Sequence, residues 1–179
     1  NRGDTWYNST TKLAKYSAVT TASWATGGNM GTARYGLAGA GTQTAALAFA
    51  GNSAGVTNAT EEYDGTNWTG GGNMGASKYY NGGTGTQTAG LSIGGYGTPN
   101  GRSTEEYDGS SWTAGGDTTK GRFDMGAAGT QTAGLIAGGD ASQFSSPAYY
   151  NGTEEYGGTS WTDGGNLGTG RKTLGGFGT

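Results

Sequence analysis

Gly41-Thr42-Gln43-Thr44-Ala45 returns as Gly85-Thr86-Gln87-Thr88-Ala89 and as Gly129-Thr130-Gln131-Thr132-Ala133, 44 residues further on each time. A second block keeps step: Thr60-Glu61-Glu62-Tyr63-Asp64-Gly65 recurs from Thr104 to Gly109 and, altered, as Thr153-Glu154-Glu155-Tyr156-Gly157-Gly158. Tryptophans stand at Trp24, Trp68, Trp112 and Trp161, spaced by 44, 44 and 49 residues. Basic residues follow in the same order at Arg34, Lys78, Arg122 and Arg171. A fixed period of this length marks a repeat architecture.

The period decides an otherwise ambiguous composition. Glycine fills 41 of the 179 positions, apolar residues make up 31% and charged residues 13%. That much glycine suits a disordered chain unless it recurs periodically. The low charge and an aromatic content of 11% also argue against disorder. The length is enough for one ordinary domain.

Several chemistries are excluded. The absence of cysteine removes disulfides, thiolate metal sites and cysteine nucleophiles. The absence of histidine removes the commonest general base and the imidazole metal ligand. A net charge of −3 with no basic run offers no track for a phosphate backbone, so no nucleic-acid partner is expected. No apolar stretch reaches the length of a membrane span, so no membrane insertion is expected, and no signal peptide is visible. A first residue of Asn1 in place of Met suggests a piece of a longer product.

Within one period the pattern predicts four short strands. Arg34 to Ala40 reads as the first, and Gly-Thr-Gln-Thr as its turn into Ala45 to Ala50. There Leu47 and Phe49 share one face while Ala46, Ala48 and Ala50 share the other. The third strand carries Glu-Glu-Tyr and ends in a tight-turn signal, Asp64-Gly65 or Asp108-Gly109. The fourth begins at the tryptophan. Four strands in about 44 residues is the size of one propeller blade. Glycine then suits close approach of neighbouring sheets, and one indole per repeat fills the wider space between them.

These residues resemble the kelch repeat. An apolar strand ending in Ala50-Gly51, Gly94-Gly95 or Gly138-Gly139 precedes Tyr63, Tyr107 or Tyr156 and then the tryptophan. The basic residue matches the family's position just before the first strand. The Tyr-to-Trp spacing is shorter than the family's, and Ala50 replaces one glycine. The resemblance covers residues 29 to 179 and implies an all-β, kelch-like β-propeller of four-stranded antiparallel blades. Its phase gives blades at 29–73, 73–117 and 117–166, preceded by a hairpin and partial blade at 1–28 and followed by one strand at 167–179. Two closures stay open. The last strand completes the N-terminal partial blade in a four-bladed ring, or further blades or a partner complete a larger one.

Gly3-Asp4-Thr5-Trp6-Tyr7-Asn8-Ser9-Thr10-Thr11 is similar to a hairpin of phage tail-fibre and appendage proteins, and the Gly-Thr-Gln-Thr-Ala blades to those of marine bacteriophages. Both resemblances imply a virion component, located on the phage particle and associated with other virion proteins and with further copies of itself.

Candidate binding residues lie where the repeat varies. The connection between second and third strands reads Asn52 to Ala59, Tyr96 to Ser103, and Asp140 to Gly152, the last five residues longer. Equivalent loops emerge on one face of a propeller, which marks Tyr96, Asn100, Arg102, Gln143, Phe144, Tyr149 and Tyr150 for recognition. The alternative is that Phe144 and the tyrosines pack the longer loop onto its blade. Adjacent glutamates on a strand point to opposite faces, so each pair reads as an inter-blade or surface partner for the basic residues. Arg34, Lys78, Arg122 and Arg171 read as anchors of strand starts, through carbonyls and carboxylates.

The expected function is non-enzymatic display and attachment to a host-surface glycan or outer-membrane protein, without a cofactor or metal. Two alternatives are a protein-interaction scaffold and a fragment of a glycan-processing propeller enzyme. Copper-oxidase chemistry, known among kelch-like propellers, lacks its histidine and cysteine here.

Overall fold

The computed structural model describes residues 5–8, 13–16, 25–144, 148–176 and 178, the first two segments by backbone pairing alone. Trp24 falls outside the described residues. Among those described there is no helix. An antiparallel hairpin of β1 (Thr5–Asn8) and β2 (Leu13–Tyr16) comes first. The first four-stranded sheet contains β3 (Ala38–Thr42), β4 (Ala45–Phe49), β5 (Thr60–Tyr63) and β6 (Trp68–Gly70). The second contains β7 (Gly82–Thr86), β8 (Ala89–Ile93), β9 (Thr104–Tyr107) and β10 (Trp112–Ala114). The third contains β11 (Gly126–Gly129), β12 (Gly134–Ala137), β13 (Thr153–Tyr156) and β14 (Trp161–Asp163). Every sheet is an antiparallel meander in chain order, the form of a propeller-like blade.

The first strand starts later than its apolar run suggests, at Ala38 rather than Arg34. The cause is a bend just before it. Gly36, Tyr80, Asp124 and Thr173 occupy one repeat position and all are left-handed, with φ of 61°, 54°, 55° and 57°. Three backbone bonds stitch them together. Tyr80 N–H donates to Gly36 O at 2.6 Å, Asp124 N–H to Tyr80 O at 2.9 Å and Thr173 N–H to Asp124 O at 2.8 Å. A left-handed non-glycine costs about 1–2 kcal/mol, and these bonds offset that cost. The tight turn expected after the third strand is present, with four residues between the paired Tyr and Trp. Asp64 and Asp108 form four-residue turns in which the carboxylate accepts from the backbone N–H groups two and three residues on.

The strands β3, β7 and β11 lie side by side. They approach so closely that a Cβ on Gly83 would stand 2.8 Å from Gly39 O and 2.9 Å from both Ala38 Cβ and Phe49 Cζ. The second strands interlock as well. Leu47 reaches over Gly90, where a Cβ would lie 2.7 Å from Leu47 Cδ2, and Leu91 does the same over Gly134 at 2.9 Å. The apolar core therefore sits between sheets, and both faces of β4 are buried. Leu47, Phe49, Met74 and Tyr107 fill the first gap; Leu91, Ile93, Ile136 and Trp161 fill the second.

Leu47 and Leu91 are 1% and 0% exposed, but Leu135, third in the series, is 41% exposed. Among the described residues no further sheet lies over it. Leu91→Ala should therefore cost about 2–5 kcal/mol in urea unfolding, and Leu135→Ala less than about 1 kcal/mol. Equal losses would contradict the interlocking.

Candidate functional site

The repeated polar residues are consumed in holding the sheets. Arg34, Lys78 and Arg122 have fully buried side chains and pair with the first glutamate of their own sheet. The contacts are Arg34 Nη2 to Glu61 Oε1 at 2.9 Å, Lys78 Nζ to Glu105 Oε1 at 3.1 Å, and Arg122 Nη2 to Glu154 Oε1. Each basic group also donates to a carbonyl: Arg34 to Ala59, Lys78 to Ser103, and Arg122 to Gly138 and Gly152. Burial pulls the Lys78 ammonium and the Arg122 guanidinium below their usual values, and the facing carboxylates pull them back.

The first glutamates do partner the basic residues, though within their own sheet and away from the surface: Glu61, Glu105 and Glu154 are 8%, 6% and 0% exposed, each closing a buried ion pair. One expectation needs correction. Arg171 is not anchored like its equivalents. It is exposed, and its Nε donates only to Thr169 O, since no described sheet offers it a glutamate.

The remaining repeat residues clamp one sheet to the next. Tyr107 donates its phenol to Glu62, and Tyr156 donates to Glu106. Trp112 Nε1 donates to Thr60 Oγ1 and Trp161 Nε1 to Thr104 Oγ1, both at 2.9 Å. Trp112 also packs against Phe49 of the preceding sheet, ring centroids 4.9 Å apart. Trp68 and Tyr63 stack on each other at 5.0 Å. The Gly-Thr-Gln-Thr turn proves to be a clamp too. Gln87 Nε2 donates to Ala46 O and Tyr63 O at 3.1 and 2.7 Å, and Gln131 repeats this with Gly90 O and Tyr107 O. In the first two sheets the glutamates of a pair serve opposite faces, one its own sheet's base and one the next sheet's tyrosine, while Glu155 of the third is exposed. A pair split this way cannot converge on one substrate atom.

The variable loops carry what is left. The structure brings Asn100, Arg102, Gln143 and Phe144 together in a cleft of about 350 Å³ between the loops of the second and third sheets. Tyr96 lines an adjoining cleft of about 320 Å³ on the other side of Phe144 and Gln143. Phe144 bridges the loops by packing onto Gly101 and Gly121. Tyr149 and Tyr150 stand apart from both clefts. Tyr150 lies over the Arg122 guanidinium, 4.5 Å from its ring centroid, and covers the buried ion pair. Tyr149 is 54% exposed, with Lys172 Nζ 5.3 Å from its ring centroid.

Two groups of residues escaped the sequence reading. Lys120 completes the larger cleft. A ladder of rings also runs beside the clefts: Tyr35 to Tyr79 at 6.4 Å, Tyr79 to Tyr96 at 5.1 Å, Tyr96 to Phe123 at 5.6 Å and Phe123 to Phe144 at 6.3 Å. The signal for it lay in the repeat, since Tyr35, Tyr79 and Phe123 each follow the basic residue directly. Each also forms a bridge to the start of its variable loop, at Asn52, Tyr96 and Asp140. The ladder thus ties the loops to the sheets.

Burial first, then the bonded carboxylate, push the phenols of Tyr107 and Tyr156 up to about 12. A folded value above the unfolded one, near 10, means stability that is complete below about pH 10 and lost as pH rises towards 12. Stability of the wild-type chain should fall steeply over that window, and that of Tyr107→Phe/Tyr156→Phe should fall less; identical slopes would refute the clamp. No protein-family model matches the chain, and no curated protein matches it.

Proposed function

We propose that the chain is a segment of a kelch-like β-propeller that serves a bacteriophage virion appendage as a non-catalytic attachment module. One observation carries this reading: the repeated polar side chains are spent between the sheets, while the loops that vary from sheet to sheet gather into clefts. A scaffold with constant internal contacts and changing loops is suited to recognition. The first glutamate of each pair is ion-paired and Glu62 and Glu106 are held by tyrosines, so these pairs are split between faces and not aimed at one atom as hydrolysis would need. The sheet-to-sheet clamp, repeated in register by Gln87 and Gln131, favours blades fanned about an axis. Shallow clefts bind weakly one at a time, and many copies on one particle would multiply that affinity.

The test is binding of fluorescently labelled protein to outer-membrane vesicles from a panel of Gram-negative bacteria. Saturable binding to a subset is expected, and shortening the 140–152 loop by five residues to the length of the 96–103 loop should abolish it. Binding that survives this change and Tyr96→Ser together would overturn the proposed recognition face.

A further inference from the structure

Resting on the attachment reading, we propose that the larger cleft receives a sugar residue carrying an anionic group. Among the described residues its only charged lining groups are Arg102 and Lys120. Acidic residues outnumber basic ones by 13 to 10 in the whole chain, yet this lining holds two cations and no carboxylate; the nearby Glu154 and Asp163 are engaged by Thr119, and Glu154 also by Arg122. Such a cleft concentrates anions from solution.

The geometry of Arg102 favours a planar, two-oxygen group. Its Nε donates to Thr118 O at 2.5 Å, which fixes the plane of the guanidinium. Among the described residues Nη1 and Nη2 have no protein partner, so a fork of donors remains for a carboxylate or sulfate. The exposed Lys120 is held at the rim by its backbone N–H, which donates to Glu154 Oε1 at 3.3 Å. This leaves its ammonium to supply a second point charge.

The rest of the lining suits the body of a sugar better than a bare ion. Phe144 is pressed onto Gly101 and set edge-on to Phe123 at 84°, so its ring is a rigid apolar wall. Asn100 and Gln143 present exposed amides beside it. Asn100 Oδ1 accepts from Arg102 N at 3.2 Å, which turns its amide donors outward from that bond. An apolar wall with a few placed polar groups is the usual form of a small-molecule site.

The experiment titrates the whole chain with trigalacturonate, with the neutral galactose trimer and with sodium sulfate, followed by NMR. Trigalacturonate should bind about tenfold more tightly than either control, a factor worth one charge-assisted contact. Lys120→Gln, an exposed change that leaves the fold intact, should weaken it about fivefold, as should raising the salt. Arg102→Gln should weaken it further, with near-ultraviolet circular dichroism reporting on its fold. Equal affinity for the acidic and neutral trimers, or sulfate binding as well as trigalacturonate, overturns the inference. If vesicle binding persists while trigalacturonate does not bind, the anionic-sugar inference alone fails; loss of both removes the attachment reading as well.

Discussion

The distance between neighbouring sheets governs the molecule. At Gly83 and Gly90 the next sheet stands where a side chain would begin, so backbone and leucine occupy the space a Cβ would need. Close approach brings the polar side chains of one sheet within reach of the backbone of the next. That is why an amide in a turn, Gln87 or Gln131, can satisfy two carbonyls of the preceding sheet. It is also why Tyr107 and Trp112 find Glu62 and Thr60 across the gap. Buried donors and acceptors without partners would be costly, and these inter-sheet bonds supply partners for the tyrosine, tryptophan and glutamine side chains.

This economy explains a core with little apolar mass. Aliphatic side chains are few, and two of the buried ones work as inserts: Leu47 over Gly90, Leu91 over Gly134. Ion pairs tie the segment before each sheet's first strand to its third strand, with Arg122 and Glu154 fully buried. Breaking one partner of such a pair leaves an unpaired buried charge, whereas replacing both by apolar groups often costs little.

The repeat period made the four-strand unit legible before any coordinates, since a turn, a Glu-Glu-Tyr strand and a tryptophan recur in order. The inter-sheet contacts were not legible, because Gln43, Gln87 and Gln131 look like ordinary turn residues until a neighbouring backbone is placed beside them. The left-handed bend at Tyr80 and Asp124 was hidden for a similar reason, since neither residue type announces it. Of the loop residues, Asn100, Arg102, Gln143 and Phe144 converge, and Tyr150 turns inward onto Arg122. Sequence variation marks a loop without saying which of its side chains are needed to pack it.

The close approach itself can be measured through Gly90 and Leu47. Alanine is acceptable to the strand at that position, because Ala46 occupies it in the first sheet. Urea unfolding of Gly90→Ala, Leu47→Ala and the double variant gives the coupling between them. Gly90→Ala should destabilise the wild-type chain and cost almost nothing once Leu47 is shortened, a coupling of at least about 1 kcal/mol. Additive losses would mean that the leucine does not occupy the glycine's missing side-chain space, and the interlocked arrangement of the sheets would have to be abandoned.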